Sequence, residues 1–200
     1  MPEDKAGDIS RRTVLASAAI IPVAALTAAA QQTEQALSPS QLRTLAAFVD
    51  RIIPKDELGP GASEGGVPEY IHRALGDYLA AEKPAFIEGL ESTDAFARRA
   101  RGAPFADLTP DKQDAVLRSM DSGSADGFPN ARAFFNRARR MTVEGMFGDP
   151  YYGGNRNFAG WDLIRYPGPR LASSPDDQKM GVEIKPYRRS AYGPGAEHGH

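Results

Sequence analysis

Apolar residues return at helical spacing through most of this 200-residue chain. The first run is Leu42, Leu45, Ala46, Val49, Ile52 and Ile53, at offsets of 3, 4, 7, 10 and 11 from Leu42, which puts them on one face of an α-helix. Ser38 can cap that helix, Pro39 suits its first position, Gln41 can close a capping box, and Pro54 ends it. After a loop over 54–66, Val67, Tyr70, Ile71, Ala74, Leu75, Tyr78 and Leu79 again share one face. A third helix is predicted over 84–101, with Phe86, Leu90 and Phe96 inward. A fourth opens at Pro110 behind Thr109 as cap, with Asp111 favourable to the helix dipole and Val116, Leu117 and Met120 inward. The fifth and longest runs over 130–147, with a stripe of Ala131, Phe134, Phe135, Ala138, Met141 and Met146, and stops at Gly148-Asp149-Pro150. No alternating stretch is long enough for a strand, and no internal repeat is present. The pattern predicts an all-α fold, a small irregular bundle of about five helices.

From 149 to 169 the helical period disappears. Gly, Pro, Tyr and Asn crowd together there, with the chain's single tryptophan, Trp161. A loop of that length is uncommon in a compact domain unless it has a function. Beyond it, 171–200 is polar and rich in Pro and Gly, too poor in apolar surface to build a core, and is expected to be disordered or to lie on a partner.

The other end has its own grammar. Ser10-Arg11-Arg12-Thr13-Val14-Leu15 reads as a twin-arginine export address, followed by a short apolar stretch over 14–30 that ends in Ala28-Ala29-Ala30, an A-x-A cleavage site. The apolar stretch is alanine-rich, is broken by Pro22 and falls short of the roughly 20 strongly apolar residues of a spanning helix. A cleaved leader is the reading it favours; an uncleaved anchor is the alternative. The expected division is therefore a signal peptide over 1–30, a helical domain over 31–170 and a tail over 171–200. The twin-arginine route carries folded proteins, so something here should need folding in the cytoplasm.

Composition then narrows what that can be. Net charge is −2 and stays there when 1–30 is removed, so no strong field draws in nucleic acid. With no cysteine, disulfides, iron–sulfur ligation, thiolate zinc sites and C-x-x-C-H haem attachment are excluded. Of three histidines, His72 stands alone in a helical pattern and His198 and His200 lie in the tail, so none forms a convincing ligand set. Phosphate-cradling glycine loops and H-E-x-x-H are missing. A chain routed like a cofactor protein thus lacks the common means of holding one. Either it binds a cofactor by another mode, or the cofactor belongs to a partner that travels with it.

The segment from Gly145-Met146-Phe147-Gly148-Asp149-Pro150-Tyr151-Tyr152-Gly153-Gly154-Asn155 through Trp161 to Tyr166-Pro167-Gly168-Pro169 resembles the hallmark of the gluconate 2-dehydrogenase subunit 3 family. A second match, Ile53-Pro54-Lys55-Asp56, Gly59-Pro60-Gly61-Ala62 and Gly65-Gly66-Val67, is similar to that family's loop between its first two helices. The twin-arginine leader fits as well, and the resemblance runs from about Leu37 to Pro169. It implies a small, mostly helical, non-catalytic subunit with no cofactor of its own. The implied partner is a glucose–methanol–choline-type flavoprotein that binds FAD and oxidises a sugar, polyol or sugar acid in the periplasm, often with a c-type cytochrome carrying haem c as a third subunit. The small subunit would support maturation of the flavoprotein and take it through the twin-arginine channel on the signal that contains Arg11 and Arg12.

The residues point the same way on their own chemistry. Tyr151, Tyr152, Phe158, Trp161 and Tyr166 are large rings on a Gly-rich segment, and such rings serve as interface anchors. Asn155 can satisfy backbone groups in a turn. These six are the candidate partner-interface residues; the competing reading folds the rings back on the chain's own helices. Asp149, Asn155, Asn157 and Asp162 offer oxygen ligands for calcium, at a spacing that matches no standard loop. An autonomous enzyme would have to use carboxylates such as Asp56 with Glu57, or Asp149 with Asp162. A third role would be to dock the cytochrome and assist electron transfer.

Overall fold

The computed structural model describes residues 36–170 and 172–193. The leader, with Arg11 and Arg12, and the tail histidines His198 and His200 lie outside the described residues. Those described form six α-helices, four 3-10 turns and no strand beyond two isolated bridges. The helices are α1 (Pro39–Ile52), α2 (Val67–Gly76), α3 (Lys83–Arg101), α4 (Pro110–Ser122), α5 (Ala131–Phe147) and α6 (Ala159–Leu163). The protein is all-α.

Helix α1 is the central element and touches α2, α3, α4 and α5. Its start is built as the sequence suggests. The Gln41 amide donates to Ser38 Oγ and the Ser38 amide to Gln41 Oε1, with Pro39 in the first turn. Phe48 on its inner face has no solvent exposure and packs on Phe105, Phe134 and Phe135, with ring centroids 6.0–6.3 Å apart. Gly89 on α3 gives way to the Phe134 ring, which a Cβ would strike. Asp94 ties three elements together, accepting from the Thr44 hydroxyl at 3.0 Å and from the Phe105 amide at 2.9 Å.

Two expectations need correcting. Helix α2 ends at Gly76 and does not continue to Leu79. The Ala74 carbonyl accepts from the amides of both Asp77 and Leu79, a closing pattern that turns the chain and leaves Tyr78 58% exposed instead of on the buried face. The stretch 149–169 is not a plain loop. It holds two of the 3-10 turns, Pro150–Tyr152 and Arg156–Phe158, and then α6, which makes six helices where about five were expected.

The described part of the tail, 172–193, has no helix and turns back on the chain's own 149–168 segment. The Tyr187 amide donates to the Pro167 carbonyl at 2.7 Å, the Ala191 amide donates to Asp149 Oδ2 at 2.8 Å, and Arg188 pairs with Asp162 at 2.9 Å. Hydrogen bonds, an ion pair and the packing of Tyr192 on Tyr151 and Tyr152 hold it there.

Candidate functional site

The two stretches that carry the resemblance meet in space. The Arg156 amide donates to the Gly65 carbonyl at 2.8 Å, and Arg156 reaches Glu69 at 3.6 Å. Asn155 is the centre of the junction and is fully buried. Its backbone N–H donates to the Gly145 carbonyl at 2.8 Å, and its Nδ2 donates to the Gly148 carbonyl at 2.9 Å. Its Oδ1 accepts from the amides of Gly160 at 2.9 Å and Trp161 at 3.4 Å. One residue thus serves two carbonyls at the end of α5, Gly145 through its backbone and the capping Gly148 through its side chain, and that side chain also takes the first amides of α6, groups that helix ends leave unpaired. Trp161 is buried and its Nε1 donates to the Phe147 carbonyl at 2.9 Å, a second tie to the end of α5. The backbones here run so close that a Cβ on Gly154 would collide with the Gly145 carbonyl oxygen, and one on Gly160 with that of Met146.

The backbone is also bent into an unusual shape. Asn155, Asn157 and Phe158 have φ of 47°, 55° and 62°, in the left-handed region. Asn tolerates that region; a Phe there is held against its preference by its surroundings. Phe158 is half-buried on Trp161, with ring centroids 5.4 Å apart.

The six candidate interface residues therefore divide. Asn155 and Trp161 are spent inside the fold, which corrects their assignment to an outer face, because their polar atoms are needed to join α5 to α6. Phe158 supports Trp161. Tyr151, Tyr152 and Tyr166 are exposed, at 42%, 41% and 41%. Tyr166 leans edge-on against Trp161 at 5.0 Å. Tyr151 and Tyr152 stand at right angles, 5.4 Å apart, and Tyr192 from the tail joins them at 5.1 and 5.6 Å. Hydrogen bonding to Tyr192 raises the Tyr152 hydroxyl above the usual phenol range.

Beside this trio lies a groove of 610 Å³ lined by Tyr70, Tyr78, Val143, Glu144, Asp149 and Tyr152 among others. The Tyr70 and Tyr78 hydroxyls share a hydrogen bond of 2.9 Å, and Tyr70 donates to Glu144 Oε2 at 3.4 Å. Burial first, then the neighbouring Tyr78 hydroxyl and Glu144, push the Tyr70 phenol far above its ordinary range. The sequence pattern does not mark Tyr78, Glu144 or Tyr192 as site residues. The Gly76-Asp77 pair is the one available sign that α2 stops short and frees Tyr78.

The other candidate chemistry is dispersed. Asp149 accepts from the amides of Tyr151 and Ala191, Asp162 pairs with Arg188, and the Asn155 oxygen is used as above. Among the described residues no three His, Cys, Asp or Glu side chains cluster as a metal site. Asp56 lies exposed in its loop, where Oδ1 accepts from the Leu58 amide, and Glu57 is exposed beside it. His72 is part of the scaffold, its Nδ1 accepting from the Leu37 amide at 3.3 Å. No described helix is long and apolar enough to cross a membrane.

Neither a curated protein nor a solved structure matches the chain. The family pattern described as gluconate 2-dehydrogenase subunit 3 matches residues 39–168, which takes in every helix from α1 to α6 and stops where the tail begins. By that match the chain belongs to the gluconate 2-dehydrogenase subunit 3 family, and its family name makes it one subunit of a dehydrogenase complex.

Proposed function

We propose that this chain is the non-catalytic small subunit of a periplasmic FAD-dependent dehydrogenase of the glucose–methanol–choline type, acting on a sugar, polyol or sugar acid. It stabilises the flavoprotein during maturation and brings it through the twin-arginine channel on the signal containing Arg11 and Arg12. FAD sits in the partner, and a c-type cytochrome can serve as a third subunit. The observation that carries the reading is the exposed tyrosine face on the 145–168 segment. The segment is rigidly tied to the bundle through Asn155, yet its Tyr151 and Tyr152 rings face solvent. Rigid, solvent-facing rings on a preorganised scaffold are what a stable protein interface uses as anchors.

The test is co-expression of the catalytic subunit with and without this chain. Flavin loading and periplasmic arrival of the partner should need the chain. They should fail when Arg11 and Arg12 are both replaced by Lys. Normal loading and export without the chain would end the proposal.

A further inference from the structure

Resting on the reading that the chain works inside a complex, we infer that the groove between Tyr78 and Tyr152 is a seat for an arginine or lysine side chain presented by the partner protein, with Tyr192 of the tail packed against the Tyr152 ring that lines it.

The chemistry of the lining supports this occupant. Its rings are Tyr70, Tyr78 and Tyr152, and its charged residues are Glu144 and Asp149; no Lys or Arg lines it. Aromatic faces with a nearby carboxylate attract a guanidinium or ammonium by cation–π and charge contact together. Glu144 is exposed, and its single contact is the long one from Tyr70; its Oε1 has no partner among the described residues. A carboxylate without an ion pair, held between tyrosines, is complementary to a cation from outside. Asp149 is different, since both its oxygens already accept backbone amides. It adds negative potential and fixes the tail.

The tail adds to the seat without hiding it. With the Ala191 amide bound to Asp149, Tyr192 is brought against Tyr151 and Tyr152. All three rings keep 41–62% of their surface open. A close backbone approach fixes the path of the strap, since a Cβ on Gly168 would collide with the Tyr187 carbonyl oxygen. The family match ends at residue 168, so Tyr192 is a contribution from outside the matched region.

The test uses the full chain and two synthetic peptides, acetyl-Gly-Arg-Gly-Arg-Gly-amide and the same peptide with citrulline for arginine. Citrulline keeps the shape and removes the charge. NMR titration should give saturable shifts at Tyr78, Glu144 and Tyr152 with the arginine peptide and not with citrulline. Glu144→Gln should weaken binding about fivefold, and Tyr192→Ala about twofold. Equal responses to both peptides, or shifts indifferent to Glu144→Gln and Tyr152→Ala, would overturn the inference. Pull-down of the co-expressed flavoprotein separates the two ideas. A complex that persists undiminished in Glu144→Gln and Tyr152→Ala removes the cation seat and leaves the proposed function standing. Loss of the complex in wild type removes the proposed function.

Discussion

Phe48 and Asn155 are both fully buried, yet they hold their surroundings in opposite ways. Phe48 works by area: its ring meets three others from segments distant from it in sequence, and any apolar group of similar volume would recover much of the effect. Asn155 works by direction. It donates to and accepts from four backbone groups at the ends of two helices, from a left-handed backbone conformation. The bundle from α1 to α5 is an apolar core with helices as walls. The segment behind it is backbone packed on backbone, with a side-chain amide as the fastener. Area tolerates substitution and direction does not, so the second region should be the less forgiving of small chemical changes.

The largest effect should come from Phe48→Ala. Truncating a core phenylalanine costs about 3–5 kcal/mol. Because α1 touches four other helices, the loss should be global, with tyrosine, tryptophan and far-ultraviolet signals falling together in denaturant. Phe48→Leu should cost clearly less.

Next is Asn155→Ala, about 2–3 kcal/mol, from the stranded Gly148 carbonyl and the freed amides of Gly160 and Trp161. Here the damage should be local. Hydrogen exchange should accelerate at Gly160 and Trp161, and Trp161 fluorescence should move to the red, while α1 to α5 keep their helicity. Asn155→Asp retains the acceptor and loses the Nδ2 donor, so it should fall between. If Asn155→Ala melted the bundle as Phe48→Ala does, the division into two regions would be wrong.

Sequence alone exposes the two regions unequally, for the same physical reason. Apolar burial leaves a periodic trace, so the face from Leu42 to Ile53, the Ser38–Gln41 box and the α5 stripe are all legible in the order of residues. Directional backbone packing leaves none. Nothing in the spacing of Asn155 and Trp161 says that they turn inward, and both resemble the surface rings and turn residues around them. The short α6 is also invisible to periodicity, since five residues make little more than one turn. Tyr78 fails in the other direction: the apolar period runs through it, but the chain has already left the helix at Gly76.

A smaller effect belongs to a polar contact within the bundle itself. Arg51 on α1 donates Nε to Asp114 Oδ1 at 2.6 Å and Nη2 to Oδ2 at 3.0 Å, a forked pair across to α4. Hydrogen bonding from Arg51 holds the Asp114 carboxyl below the usual carboxylate range. A folded-state pKa below the unfolded one means the contribution is complete above the unfolded value, near 4, and is lost as pH falls through the depressed value. Asp114→Asn should therefore cost about 1 kcal/mol at neutral pH, with the deficit shrinking as the buffer is taken into acid. Urea midpoints at several pH values give the comparison directly.

The smallest effect on stability, and the sharpest test of the comparison, is Tyr151→Ser. The ring is 42% exposed and meets only Tyr152 and Tyr192 as aromatic neighbours, so the folded state should change by less than about 0.5 kcal/mol. Association with the proposed flavoprotein partner should nonetheless weaken by at least about tenfold, as expected for an interface anchor. Trp161→Leu should behave the other way, destabilising the segment strongly and affecting association only through that loss. Titrating the partner against each variant at a temperature where both are folded separates the roles. A surface whose tyrosine can be removed with no change in assembly would mean that these rings merely decorate a fold whose fastening lies entirely with Asn155 and Trp161.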